Sequence, residues 1–244
     1  MNPKRDTVPV THETRRRDGD LEQRSVALDG PSAAGKSTLA RRAAKHFGLV
    51  YVDTGALYRC IAYNALKNDQ DPNDEGGVVK LLPGIRLEMF YDESGLQRMI
   101  LSGEDVTNLI RTPEISICAS DISALPPVRE FLLSMQREMA EKYDVVMDGR
   151  DIGTVVLPYA GLKVFVTADT SVRARRRFLE LQERGVETTL DEVEKDLSMR
   201  DRNDSSRAAA PLRVAEGAVI LDTTYMSLEE SFEQLCNLIG GILV

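Results

Sequence analysis

Histidine is almost missing from this chain of 244 residues, with His12 and His46 the two examples. The first lies in a polar tail, so catalytic triads and histidine-rich metal sites are poor explanations, and chemistry falls to Lys, Arg, Asp, Ser, Thr and bound metal. Cysteine is sparse as well. Cys60, Cys118 and Cys236 are odd in number, widely spaced and free of CxxC pairing, which excludes a disulfide framework or a zinc site and fits a reducing cytoplasm. No stretch approaches the ~20 apolar residues of a membrane span. The N-terminal segment lacks the apolar core of a signal peptide, so the expectation is a soluble, cytoplasmic protein. Surplus positive charge is lacking too. A net charge of −8 and a pI near 5.0 argue against coating nucleic acid, whose affinity comes mostly from basic contacts to phosphate.

What is present is enough apolar material for a sizeable core, at 42% of residues, in one embellished domain or two small ones. Residues 1–24 stand apart. They hold Arg15-Arg16-Arg17 and, after Met1, only Val8, Val10 and Leu21 as larger aliphatics, so they read as a disordered polar tail, with a basic anchor for a partner as the other reading. From Ser25 onward, short apolar runs alternate with amphipathic stretches. Val26–Leu28, Val50–Val52, Val145–Met147, Val164–Thr167 and Val219–Leu221 read as strands buried on both faces, and the helical patterns between them predict a parallel, doubly wound sheet.

The first strand runs into Gly30-Pro31-Ser32-Ala33-Ala34-Gly35-Lys36-Ser37, followed by Thr38 and a helix predicted from Ser37 to Phe47 that Gly48 stops. This is a phosphate-binding loop in its proper context. Glycines let backbone N–H groups converge on phosphates, Lys36 adds a point charge and Ser37 offers a hydroxyl to Mg²⁺. A chance Gly-rich turn would not carry both flanks, so a nucleoside triphosphate site is expected.

Two segments break the alternation. Ile85–Phe90, a turn over Asp92-Glu93-Ser94-Gly95, and Gln97–Leu101 read as an antiparallel hairpin, either an inserted β subdomain spanning about 84–107 or an edge hairpin extending the main sheet. Residues 170–207 are helical, highly charged and poor in core residues. Thr189-Leu190-Asp191-Glu192 has the form of a capping box, backed by a narrow stripe of Leu190, Val193 and Leu197. Such a segment is either a lid or an exposed helical pair.

Polar residues collect where strands end. Asp148-Gly149-Arg150-Asp151 follows one strand at the carboxyl edge of the sheet, where open α/β folds bind ligands, although a polar strand-closing turn has the same composition. Asp53-Thr54-Gly55-Ala56-Leu57-Tyr58-Arg59 follows another; Thr54 either caps the next helix or meets a phosphate, and Arg59 points back toward the same helix start. Arg173, Arg175, Arg176 and Arg177 read by themselves as a solvated face. Arg200, Asp204 and Arg207 share one face if that stretch is helical. An arginine-rich lid above a phosphate loop suits phosphoryl transfer, which needs cations around the transferred group and exclusion of water.

Five ordered motifs carry a family resemblance: VALDGPSAAGKST, YVDTGALYR, DGRDIGTVVLP, the stretch from Arg200 to Leu212, and LDTTYMSLEE. The sequence resembles the bacterial cytidylate kinases, nucleoside monophosphate kinases with a β-rich insert. The resemblance runs from about Ser25 to the C-terminal helix and leaves out the tail. It implies an α/β fold, a P-loop nucleoside triphosphate hydrolase-like doubly wound parallel sheet with a small antiparallel β insert and a helical lid. It implies transfer of the γ-phosphate of ATP to CMP or dCMP, with Mg²⁺. The residues themselves show no exposed heptad or large apolar surface stripe, so a monomer is expected, acting on small molecules rather than on nucleic acid or membranes.

By the same resemblance, Ser120, Arg129 and Asp151 read the cytosine edge, a carboxylate accepting from the exocyclic amine and a guanidinium donating to O2 and N3. Thr54, Arg59 and Arg150 look like acceptor-phosphate ligands, with Thr54 standing where some relatives have Ser. Tyr58, Arg200 and Asp204 correspond to the sugar contacts, and Arg207 reaches phosphate on closure. Gly30 to Thr38 hold ATP, with Lys36 on its phosphates and Ser37 on Mg²⁺, beneath a lid bearing Arg176 and Arg177. Two other classes stay open on residues alone: a kinase for a different small acceptor, and a nucleotide-dependent switch or ATPase. The acidic charge and the lack of an NKxD string stand against the latter.

Overall fold

A computed structural model describes residues 24–93 and 95–243; apart from Arg24, the predicted tail lies outside the described residues. Strand β1 (Ser25–Asp29) leads through the phosphate-binding loop into α1 (Lys36–Phe47), which ends at Gly48 with φ 67°. Next come β2 (Val50–Asp53), α2 (Thr54–Lys67) and a short α3 (Glu75–Leu81). Three small strands follow, β3 (Leu87–Tyr91), β4 (Gln97–Leu101) and β5 (Glu104–Asp105), then α4 (Pro113–Ile122) and α5 (Pro126–Lys142). The chain closes with β6 (Val145–Asp148), β7 (Leu162–Thr167), α6 (Thr170–Glu183), α7 (Leu190–Ser206), β8 (Val219–Asp222) and α8 (Leu228–Leu243).

The main sheet has the order β2-β6-β1-β7-β8 and every pairing in it is parallel, as the alternating pattern predicts. Successive side chains of a strand face opposite ways, so each strand serves two cores. Val26 and Leu28 of β1 pack with Leu39 of α1 and with Leu235 and Ile239 of α8, whereas Ala27 joins Val52, Val145, Met147 and Ala140 of α5 on the other side. β8 departs from the expectation of two buried faces. It is an edge strand, and Val219 and Ile220 stay exposed while Leu221 is buried.

The hairpin lies in a sheet of its own, ordered β3-β4-β5, and does not extend the main one. Its first strand starts at Leu87 rather than Ile85, and Ser94 of the turn lies outside the described residues. Leu87, Met99 and Leu101 sink into a core shared with Leu57 and Ile61 of α2, Ile122 of α4 and Leu132 of α5. Two polar contacts register the small sheet against β2: the Tyr91 hydroxyl donates to the Tyr51 carbonyl (2.5 Å), and Gln97 grips Asp53.

Helices α6 and α7 share a small core of Ala174, Leu181, Val193 and Leu197, with Phe178 and Val186 partly buried against it. Thr189 and Glu192 do form the reciprocal capping box, but Leu190 turns outward and is exposed, so the apolar stripe is narrower than the sequence suggests. Four buried side chains are a slight base for helices of 14 and 17 residues. Polar contacts supplement them. Arg173 is buried, donates to the carbonyls of Ala168 (2.9 Å) and Ser32 (3.2 Å), and pairs with Asp201 (2.7 Å), so the solvated-face reading of the Arg173–Arg177 run fails at Arg173 while it holds at exposed Arg175.

Candidate functional site

The carboxyl ends of β1, β2 and β6 open into one cleft of about 880 Å³, roofed by α4, α6 and α7. Each of the three strands ends in aspartate: Asp29, Asp53 and Asp148. These carboxylates organise the site, and motif matching gave none of them a role.

In the phosphate-binding loop, Gly30 holds φ 142°, and a Cβ there would lie 1.9 Å from the carbonyl oxygen of Val166, so only glycine fits where the loop crosses β7. Gly35, with φ 89°, opens α1, whose first N–H groups lack a side-chain cap and suit an anion. Lys36 is buried, its Nζ donating to the Pro31 carbonyl at 2.6 Å; burial first, and the charge of Arg150 next, lower its pKa to about 7. Burial and the charge of Asp53 push the Asp148 carboxyl up to about 6, with the nearby Ser37 hydroxyl acting against them. Asp29, also pushed by burial to about 6, accepts from the backbone N–H groups of Ile152 and Gly153, both at 2.7 Å, and so pins the turn after Asp151 to the phosphate-loop strand.

On the opposite side of the cleft, Asp53 rather than Thr54 caps α2, accepting from the Ala56 N–H at 3.0 Å. Its carboxylate also pairs with Arg59 at 2.8 Å. Although burial pushes Asp53 up, Arg59 and Arg111 hold it below the usual carboxylate range. Thr54 is buried and donates to the Asp148 carbonyl at 2.7 Å, so the capping reading fails while the hydroxyl stays on the cleft wall. A Cβ on Gly149 would come within 2.7 Å of that hydroxyl, which explains a glycine at the exit of β6.

Arg150 bridges the two sides: its Nε pairs with Asp204 at 2.7 Å and its Nη2 donates to the Ser32 hydroxyl at 2.7 Å. Deeper in the cleft, Arg129 pairs with Asp151, lies 5.7 Å from the ring centre of Tyr58 and donates to the Ser123 carbonyl at 3.2 Å. Arg207 also turns to this pair, 3.5 Å from Asp151 and 2.9 Å from the Ser123 hydroxyl. It lies just past α7 in extended backbone, so Arg200 and Asp204 alone of the expected trio share the helix face. Burial outweighs both guanidiniums and leaves Asp151 raised.

Three atoms on the cleft wall are buried without a hydrogen-bond partner among the described residues: Ser120 Oγ, Arg59 Nε and Arg200 Nε. Burial, then the charge of Arg150, lower Arg200 to about 10. Unsatisfied buried polar atoms are rare, and three around one cleft mark it as built for a polar, anionic ligand. Arg176 donates to the hydroxyl and carbonyl of Thr223 (3.0 and 2.8 Å), and Arg177 pairs with Glu180 (2.8 Å); both line the cleft beside the phosphate loop.

Every residue singled out from sequence as a ligand from Ser32 onward lines this cleft, whereas Gly30 and Pro31, ahead of them in the loop, do not. Sequence reading passed over Asp29, Asp53, Gln97, Ser123, Arg111 and Thr223. The three strand-terminal aspartates carried a visible signal in their shared position; the others lie in unrelated segments that only folding brings together.

A parallel sheet with a phosphate-binding loop at its carboxyl edge and a second cationic pocket facing that loop across one cleft defines a P-loop phosphotransferase. Residues 26–240 match the family model for cytidylate kinase. Curated cytidylate kinases are similar over nearly their whole lengths: that of Caldicellulosiruptor bescii is 44% identical over 89% of this chain and 96% of its own, and that of Lactobacillus gasseri is 45% identical over 88% and 93%. That of Desulfitobacterium hafniense is 46% identical over 87% of this chain and 91% of its own. The chain belongs to the cytidylate kinase family.

Proposed function

We propose that this protein transfers the γ-phosphate of ATP to CMP or dCMP, giving ADP and the cytidine diphosphate. The observation that carries the reading is a single cleft with the phosphate loop at one end and, at the other, the buried Arg129–Asp151 pair beside the unpartnered Ser120 hydroxyl. A carboxylate to accept from an exocyclic amine and a guanidinium to donate to ring acceptors match cytosine; uracil presents the opposite pattern at position 4.

In this reading an acceptor-phosphate oxygen attacks the γ-phosphorus in line, the bond to the β–γ bridging oxygen breaks, and ADP leaves. The nucleophile is already an anion, so no general base is required. The barrier is the approach of two polyanions, met by Lys36, Arg150, Arg200 and Arg207, with Thr54 and Arg59 orienting the acceptor phosphate. Tyr58, Arg200 and Asp204 take the sugar. The donor lies along Gly30–Thr38 under Arg176 and Arg177, and the lightly anchored α6–α7 pair serves as the lid that excludes water.

The residues present fit a magnesium ion. The Ser37 hydroxyl meets the Asp148 carboxylate at the end of the phosphate loop, two hard oxygen donors of the kind that hold this ion together with substrate phosphates. When bound, it neutralises charge on the donor phosphates. Because one chain supplies the whole described cleft, a monomer is sufficient. The free thiols, with Cys60 and Cys118 buried, suit a reducing cytoplasm.

The test is ADP production from ATP with CMP, dCMP, UMP and AMP supplied singly. Turnover should be fast with the two cytidine nucleotides and at least tenfold weaker in kcat/KM with the others. Turnover indifferent to all four sinks the kinase reading, and a preference for UMP or AMP sinks the base assignment.

A further inference from the structure

The acceptor end of the cleft holds more positive charge than its assigned ligands account for. Arg59 and Arg111 both act on the Asp53 carboxylate, and Arg41 adds a third guanidinium within electrostatic reach of Arg111; all three line the cleft. The adjacent carboxylate, Asp148, is engaged by Ser37 and Tyr51 and faces Lys36 and Arg150. Asp53 is committed to Arg59 at 2.8 Å and to the start of α2. Arg111 has one hydrogen bond, from Nε to the Thr107 carbonyl at 3.3 Å, and no ion pair among the described residues.

Its setting is therefore electrostatically unbalanced. Burial, chiefly, lowers the proton affinity of Arg111; Asp53 opposes this, and Arg59 and Arg41 reinforce it. Guanidiniums crowded in a partly dry wall gain from an anion placed between them, and a phosphate dianion suits their planar donors.

The position of Arg111 is also fixed from an unexpected quarter. Thr107, buried behind the small sheet, accepts at its hydroxyl from the Met99 N–H (2.8 Å), and its own N–H donates to Asp105 (3.0 Å). That leaves its carbonyl to hold Nε, while both Nη groups stay free of protein partners among the described residues.

We propose that Arg111 is a further acceptor-phosphate ligand, joining Thr54 and Arg59, and that the β3–β5 insert aims it through Thr107. The inference rests on the reading that a nucleoside monophosphate fills this end of the cleft. It gives the insert a direct part in binding.

The experiment is calorimetric titration of the full chain and its Arg111→Gln and Arg111→Lys variants with CMP, UMP and Mg·ADP. A phosphate ligand serves both monophosphates alike. The Gln variant should lose at least tenfold in affinity for CMP and for UMP by the same factor, preserve their ratio, and bind Mg·ADP within twofold of the parent; the Lys variant should recover part of the loss. Unchanged CMP affinity overturns the proposal. Equal weakening of CMP, UMP and Mg·ADP overturns it too, since that is the mark of a structural residue. If the parent chain binds UMP as tightly as CMP, the cytosine reading fails while the Arg111 comparison still decides its own question.

Discussion

Gln97 closes both ends of its side-chain amide on the main chain of Asp53: Oε1 accepts from the Asp53 N–H at 2.8 Å and Nε2 donates to the Asp53 carbonyl at 3.2 Å. One buried side chain thus imitates a strand neighbour and ties the insert to the residue that caps α2 and holds Arg59. Replacing it with Leu leaves two buried main-chain groups unpaired, at roughly 1–3 kcal/mol each. The Gln97→Leu protein should lose about 2–6 kcal/mol in urea unfolding, and its KM for CMP should rise severalfold with the KM for ATP held. An unshifted unfolding midpoint would show that the pairing contributes nothing.

Lys36, with its pKa brought down to about 7 by burial and by Arg150, is mostly neutral at pH 8. A bound triphosphate favours the ammonium and raises that pKa, so nucleotide binding at pH 8 should take up close to one proton, and binding at pH 5.5, where Lys36 is already charged, should take up none on its account. Asp148, at about 6, is already ionised at the higher pH and does not disturb the sign. Calorimetry in buffers of different ionisation enthalpy measures the uptake. Proton release at pH 8, or uptake that persists in Lys36→Arg, would contradict this assignment.

Asp151 faces both Arg129 and Arg207 from a buried position. Substitution by Asn replaces an acceptor of amine protons with a group that donates as well as accepts. The kcat/KM for CMP should fall by about two orders of magnitude, that for UMP much less, and the CMP-to-UMP preference should shrink at least tenfold. Equal loss for both nucleotides would assign Asp151 to holding the arginines alone.

Gly30→Ala tests the donor loop through packing. The added methyl would press on the Val166 carbonyl at 1.9 Å, against backbone that cannot move without shifting β7. Thermal unfolding should occur at lower temperature, and affinity for Mg·ADP should drop tenfold or more. Wild-type behaviour in both would mean that the loop entry is slacker than its geometry implies.

Local signals made much of this legible. Apolar runs of three or four residues separated by helical periodicity are enough to predict a parallel sheet, and the loop from Gly30 to Ser37 is recognisable because glycines, lysine and hydroxyl act within eight consecutive residues. Thr189 and Glu192 announce their capping box over a similarly short span. Prediction failed where burial depends on a distant partner. Ile220 reads as core but belongs to an edge strand, and Arg173 reads as solvated but is enclosed by Ser32 and Asp201.

The sequence by itself determined the order of elements, the donor loop and the chemical types gathered at strand ends, since these follow from backbone periodicity and from contacts within a few residues. Tertiary structure decided which of those groups meet. Gln97 reaches Asp53 across 44 residues, Arg150 reaches Ser32 across 118, and Arg207 reaches Ser123 across 84. Partners so far apart in the chain are set by how the small sheet and the α6–α7 pair pack onto the main sheet, and that packing converts a phosphate-binding loop into one end of a two-substrate cleft.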